Sequence, residues 1–162
     1  MFCPMELSQL QREYDGIRKL HDLPSFEEMN LIFDIGKIER DSGNLLRDIR
    51  KICSEKISHY LRLIELMLNP SQASPMFLIL LKEMNLNDRK IIDSVFTSFI
   101  ELEINSYKLD IKYSAEDESS FIRKIYSVWM QHIPEIEYLI GILERNWKSS
   151  NKQPIKSRDY FN

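Results

Sequence analysis

The chain has 162 residues, of which 43% are hydrophobic, and this is enough apolar material for the core of one domain. Its 22 basic residues are nearly balanced by 25 acidic residues, which argues against a global positive field that would attract nucleic acid. Cys3 and Cys53 have neither the spacing of a zinc site nor that of a disulfide scaffold, so we predict a cytoplasmic protein.

The N-terminal region predicts a helix and no leader. Cys3, Pro4 and Glu6 interrupt any apolar run there, and the longest fully apolar run of the chain, 76–81, is too short to span a membrane. Apolar side chains then recur at helical spacing up to Leu23-Pro24. These are Leu7, Leu10, Tyr14 and Ile17.

A second helix is predicted from Ser25, because Ser25 and Glu28 have the spacing of a capping box. Its core stripe steps by three or four residues through Leu31, Ile35, Ile38, Ser42, Leu45, Ile49, Ile52, Lys56, Tyr60, Leu63 and Met67. One straight helix of this length would reach roughly 65 Å at about 1.5 Å per residue. We therefore expect either an elongated molecule or a bend at Ser42-Gly43-Asn44, with a full turn there as the alternative.

Residues 69–74 predict a loop that separates two halves of the bundle. Ser74-Pro75 has the pattern of an N-cap followed by proline in the first helical turn, and a short apolar third helix follows over 76–84. Asn87-Asp88 predicts the start of a fourth helix, whose apolar residues run from Ile91 to Tyr113 around most of its circumference.

Two apolar seams lie on this fourth helix. The first consists of Ile91, Val95, Leu102 and Leu109, and the second of Phe96, Ile100, Ile104, Tyr107 and Ile111. Because one seam is enough for an ordinary bundle helix, the second predicts a twofold homodimer with this helix at the interface. The alternative is a central helix that the other helices of its own chain surround.

The last helix is predicted to follow Ser114, where acidic residues stabilise a helix N-terminus: Glu116, Asp117 and Glu118. Its core stripe consists of Phe121, Ile125, Val128, His132, Ile136, Leu139 and Leu143, and keeps phase across Pro134, which predicts a kink rather than a break. The whole pattern predicts an all-α antiparallel bundle with three long helices and two shorter ones in one domain, 1–148. A polar, flexible tail would follow over 149–162.

Five polar residues interrupt the apolar faces and form a candidate polar core cluster: Lys56, Glu103, Ser106, Asp110 and His132. A buried charge is costly unless it is paired, so we expect Lys56 to pair with Glu103 or Asp110, with His132 close by. The cluster has two interpretations. Either it holds the helices in register, or it forms a pocket that binds a small anionic ligand and moves a proton.

No phosphate-binding glycine motif is present, and no Glu-x-x-His pair of the kind that holds a di-iron centre, so we expect neither a metal nor a cofactor. The catalytic residues of an enzyme are not indicated. The leading hypothesis is a noncatalytic, self-associating scaffold, adaptor or assembly subunit. The alternative is a helical enzyme or small anionic-ligand binder around Lys56, Glu103, Asp110 and His132. A third hypothesis is a nucleic-acid-associated subunit that uses the basic residues of the tail.

Overall fold

A computed structural model describes residues 7–38 and 43–151, which form six α-helices and no β-strand. The helices are α1 (Leu7–His21), α2 (Phe26–Phe33), α3 (Leu45–Leu68), α4 (Pro75–Leu80), α5 (Leu86–Ile111) and α6 (Ala115–Asn151). The predicted all-α bundle is therefore confirmed, with α3, α5 and α6 as its three long helices. Helix α5 corresponds to the fourth predicted helix. None of the helices within the described ranges is both long and apolar enough to cross a membrane.

The capping box at the start of α2 is present as predicted. The backbone N–H of Glu28 donates to the Ser25 hydroxyl at 3.2 Å, and the backbone N–H of Ser25 donates to the Glu28 carboxylate at 2.9 Å. Two of the free N–H groups at the helix end are satisfied in this way.

The single long second helix was a wrong prediction, because α2 ends at Phe33. Asp34 adopts a left-handed conformation with φ 59°, and the Gly36 N–H donates to the side-chain oxygen of Asn30 at 2.7 Å. This local bond competes with continuation of the helix. A Cβ on residue 36 would lie 2.8 Å from the same Asn30 oxygen, so a larger residue there would displace the Asn30 side chain from this hydrogen bond.

Helix α3 starts beyond a second turn. Gly43 has φ 66°, and the Asn44 side chain caps the helix by accepting a hydrogen bond from the Arg47 N–H at 3.2 Å. Gly43 and Asn44 therefore fit the alternative of a full turn better than a bend within one helix, and Ser42 lies outside the described residues. With 24 residues, α3 spans about 36 Å at about 1.5 Å per residue, much less than the single helix predicted.

The caps of the later helices explain where they begin. The Ser74 hydroxyl accepts from the Phe77 N–H at 3.3 Å with Pro75 in the first turn of α4, as predicted. Helix α5 is capped by Asn85 instead of the predicted Asn87, since Asn85 forms the capping box with Asp88. Helix α6 runs through Pro134 without a break and continues to Asn151, past the predicted domain boundary at residue 148. Residues 152–162 of the predicted tail lie outside the described residues.

Helices α3, α5 and α6 pack around one core, in which α5 runs antiparallel to the other two, with α1 and α2 covering one side. The Tyr14 hydroxyl of α1 donates to the Pro24 carbonyl at 2.8 Å, and Phe33 of α2 packs against Trp129 of α6 with ring centroids 6.2 Å apart. Helix α4 is held to the end of α6, where the Asn146 amide donates to the Leu80 carbonyl at 2.7 Å.

Candidate functional site

The buried face of α3 lies beside the predicted one. Lys56 and its stripe neighbours Ile52 and Tyr60 are only half-buried. The buried residues are Leu46, Ile49, Arg50, Cys53, Ile57, Leu61, Ile64 and Met67. Arg50 therefore lies inside the bundle where Lys56 was expected. Leu46, Arg50, Cys53 and Ile57 also have three- and four-residue spacing, so the sequence contains this second stripe, but spacing alone does not show which stripe is buried.

Arg50 is the centre of a polar cluster that joins three helices. Its side chain is 2% exposed, and its Nε donates to Glu118 Oε2 at 3.0 Å, Nη1 to the Ser106 hydroxyl at 3.0 Å and Nη2 to Asp110 Oδ1 at 2.7 Å. The Ser54 hydroxyl lies 3.0 Å from that of Ser106. We call these five residues, Arg50, Ser54, Ser106, Asp110 and Glu118, the Arg50 cluster.

The charges of the Arg50 cluster are balanced by a second guanidinium. Arg47 Nε lies 3.8 Å from Glu118 Oε1, and neither atom has a hydrogen-bond partner among the described residues. The Arg47 guanidinium also stacks on the Tyr113 ring, 4.9 Å from its centroid. Because all three nitrogen atoms of the Arg50 guanidinium donate to protein groups, the cluster cross-links α3, α5 and α6.

Lys56 has different partners from those expected. Its ammonium group donates to the Ile32 carbonyl in the last turn of α2 and lies 4.5 Å from the centroid of the Trp129 ring. A cation is favourable at that end of a helix and over an aromatic face. Burial lowers the pKa of Lys56 below that of a free lysine.

The two carboxylates predicted to pair with Lys56 are used elsewhere. Glu103 accepts from the Ser58 hydroxyl at 3.1 Å and from the Tyr107 hydroxyl at 2.9 Å, while Asp110 pairs with Arg50. Of the five residues predicted to form a cluster, the structure joins Ser106 and Asp110. Glu103 lines a small cavity together with Ser106 but does not bond to Arg50, and Lys56 and His132 lie in two other environments.

His132 belongs to a separate hydrogen-bonded network of three side chains. It is buried, its Nε2 lies 2.9 Å from the Ser98 hydroxyl, and its Nδ1 pairs with Glu135. This is the connectivity of a nucleophile, a base and an orienting acid. Ser98, however, lies in the middle of α5, where backbone N–H groups are already bonded to carbonyls one turn earlier. Those N–H groups therefore do not supply an oxyanion hole.

Space near the Arg50 cluster is limited inside the bundle. A cavity of about 30 Å³ lies beside Ser54, Ser58 and Ser106, which is room for a water molecule and not for a substrate. On the surface above it, two open pockets along α3 and α5 have Arg62 in common, and we call them together the groove and each of them one of its wide parts. One has about 440 Å³ beside Lys51 and Tyr107, and the other about 540 Å³ beside Leu66 and Phe96.

An apolar row on α5 borders this groove at Phe96 and Tyr107. Of the two predicted seams, the first faces the core, since Val95, Leu102 and Leu109 are buried and Ile91 is half-buried. The second seam consists of Phe96, Ile100, Ile104, Tyr107 and Ile111, and we call it the α5 stripe. Within it, Ile104 is 48% exposed, Tyr107 59% and Ile111 87%. Residues 7–38 and 43–151 therefore do not surround helix α5 completely.

Comparison with protein-family models, curated proteins and solved structures found no match to this chain. Across residues 7–38 and 43–151, no three histidine, cysteine, aspartate or glutamate side chains are grouped so that they could hold a metal ion. The features that can indicate a function are therefore geometric: the Arg50 cluster, the groove and the α5 stripe.

Proposed function

We propose that this protein is a noncatalytic helical scaffold or assembly subunit that forms a twofold homodimer through the α5 stripe. The observation that carries the proposal is the exposure of Ile104, Tyr107 and Ile111 on successive turns of one helix face. Exposed apolar residues on monomeric proteins are usually scattered, whereas a continuous row marks an association surface. Completely burying a side chain of this size contributes about 1.5–3 kcal/mol.

A second copy of the chain is the partner that fits this face. A closed twofold dimer places the same surface patch of both subunits together, so one stripe supplies both halves of the interface. Hydrogen bonds within the single chain also hold the surface in place. Arg50 binds Asp110 beside the stripe, and Glu103 binds Tyr107 within it, so part of the ordering cost of association is met in the monomer.

Ile104→Asp is the direct test of this interface. Because Ile104 is about half exposed in the single chain, the variant should remain folded by circular dichroism and lose its ability to dimerise. Leu31→Asp is the matched control, since Leu31 is an exposed apolar residue on α2, away from the stripe. Light scattering should give the dimer mass for Leu31→Asp and the monomer mass for Ile104→Asp. A folded Ile104→Asp protein that keeps the dimer mass would rule out this surface.

The hydrogen-bonded side chains of Ser98, His132 and Glu135 favour a second candidate function, that of a helical hydrolase with a serine nucleophile. A reactive Ser98 should form a covalent adduct with a fluorophosphonate probe, visible by mass spectrometry and absent in Ser98→Ala. This candidate ranks second because its serine lies within a helix, without nearby free backbone donors. Lack of an adduct on the folded protein would exclude it.

A further inference from the structure

We propose that the two copies associate with their helices antiparallel. The twofold axis lies between the copies and passes over α5 between Glu103 and Ile104 and over α3 at Ser58. This inference rests on the dimer proposed above and specifies its register. Three properties of the surface lead to it: the level at which α3 and α5 are joined, the shape of the groove, and the order of charges along α3.

The two helices of the surface share a common midpoint. The Ser58 hydroxyl of α3 donates to the Glu103 carboxylate of α5 at 3.1 Å. The middle of α3 and the middle of the α5 stripe therefore lie at the same height along the bundle. A twofold axis perpendicular to both helices at that level then lays each helix on its own copy in the opposite direction. Phe96 faces the partner's Ile111 and Ile100 faces the partner's Tyr107.

The shape of the surface fits this arrangement. Ile111 is 87% exposed and projects at one end of the stripe, and the larger of the two wide parts of the groove, about 540 Å³ against about 440 Å³, lies at the other end beside Phe96 and Leu66. In the antiparallel register, each projecting Ile111 lies over the larger wide part of the partner's groove. Because of the twofold symmetry, the contact occurs twice.

The charges on α3 select the antiparallel direction. Lys51 and Glu65 are both exposed, border the two wide parts of the groove, and each lie seven residues from Ser58 in opposite directions. Glu55 and Arg62, also exposed, lie on opposite sides of Ser58 and closer to it. The register pairs Lys51 with the partner's Glu65 and Glu55 with the partner's Arg62. A parallel dimer whose twofold axis runs along α3 would instead place each charge against its own counterpart.

Exchanging the charges of Lys51 and Glu65 tests the proposed antiparallel register. Lys51→Glu and Glu65→Lys should each weaken dimerisation about tenfold at low salt, since each creates two like-charge pairs in the dimer, and high salt should reduce the effect. The double variant Lys51→Glu/Glu65→Lys should return to within about twofold of the wild-type dissociation constant. Single variants without effect, or a double variant weaker than either single, would overturn the register.

Cysteine cross-linking gives an independent readout in a Cys3→Ser background, where Cys53 is buried. The double variant Lys51→Cys/Glu65→Cys should form a covalent dimer on mild oxidation, and Lys51→Cys alone should not, because its two copies would lie about 21 Å apart at about 1.5 Å per residue. Cross-linking by Lys51→Cys alone would show a parallel dimer and overturn the register while leaving self-association intact. A monomeric wild-type mass would overturn both.

Discussion

Arg50→Met should lower the free energy of unfolding by about 3–5 kcal/mol, the usual cost of removing one partner from a buried ion pair. The substitution leaves the Glu118 carboxylate 0% exposed without its main donor, and it removes the donor to the Ser106 hydroxyl. Chemical denaturation followed by circular dichroism would measure the loss. The same change should loosen the contact between α3 and α5 that supports the proposed dimer face.

Two companion variants make this result specific. Arg50→Met/Glu118→Leu should recover much of the stability, because no uncompensated charge then remains inside the bundle. Lys56→Met should cost about 1 kcal/mol, since Lys56 is half-buried and gives up one bond to a carbonyl and one aromatic contact. A severe loss in Lys56→Met together with a neutral Arg50→Met would show that the polar core had been assigned to the wrong residue.

Trp129→Ala should lower the free energy of unfolding by about 3–5 kcal/mol, because it leaves a large cavity where four helices meet. The Trp129 ring of α6 lies 6.2 Å from the ring of Phe33, 5.0 Å from that of Tyr60 and 6.1 Å from that of Phe99, measured between centroids. These three residues belong to α2, α3 and α5.

Trp147→Ala is the control for this prediction, since Trp147 lies on the same helix and its side chain is partly exposed. It should change the free energy of unfolding by less than about 1 kcal/mol. Equal losses at the two tryptophans would contradict the position of Trp129 in the core.

The helices were largely predictable because their signals are local. The capping pair Ser25 and Glu28, the Ser74-Pro75 start and the unbroken passage of α6 through Pro134 all agree with the sequence pattern. The end of α2 was missed because it depends on the Asn30 side chain bonding to the Gly36 backbone. The spacing of apolar residues contains no information about that bond, and the helical spacing continues across the turn.

The polar cluster could not be located from periodicity alone. Helix α3 carries two overlapping apolar stripes, one through Ile52 and Tyr60 and one through Cys53 and Ile57, and the positions of α5 and α6 decide which is buried. The prediction took the stripe through Ile52 and Tyr60 as the buried one and therefore placed Lys56 in the core. The structure buries the other stripe, and Arg50 with it. The partner of Arg50, Glu118, lies 68 residues away and has the ordinary pattern of an acid at a helix N-terminus.

The two seams of the fourth predicted helix illustrate the same limit. Periodicity identified both, but only the packing of α3 and α6 shows that Val95, Leu102 and Leu109 are covered while Ile104 and Ile111 are not. The proposal that a second copy covers the remaining seam goes beyond what the packing of one chain shows.

The mass of the wild-type protein in solution tests self-association most directly. Dimerisation through the α5 stripe predicts that light scattering at micromolar concentration gives twice the chain mass of 19.4 kDa. A mass of 19.4 kDa at the same concentration would contradict the proposal that this protein is a self-associating scaffold.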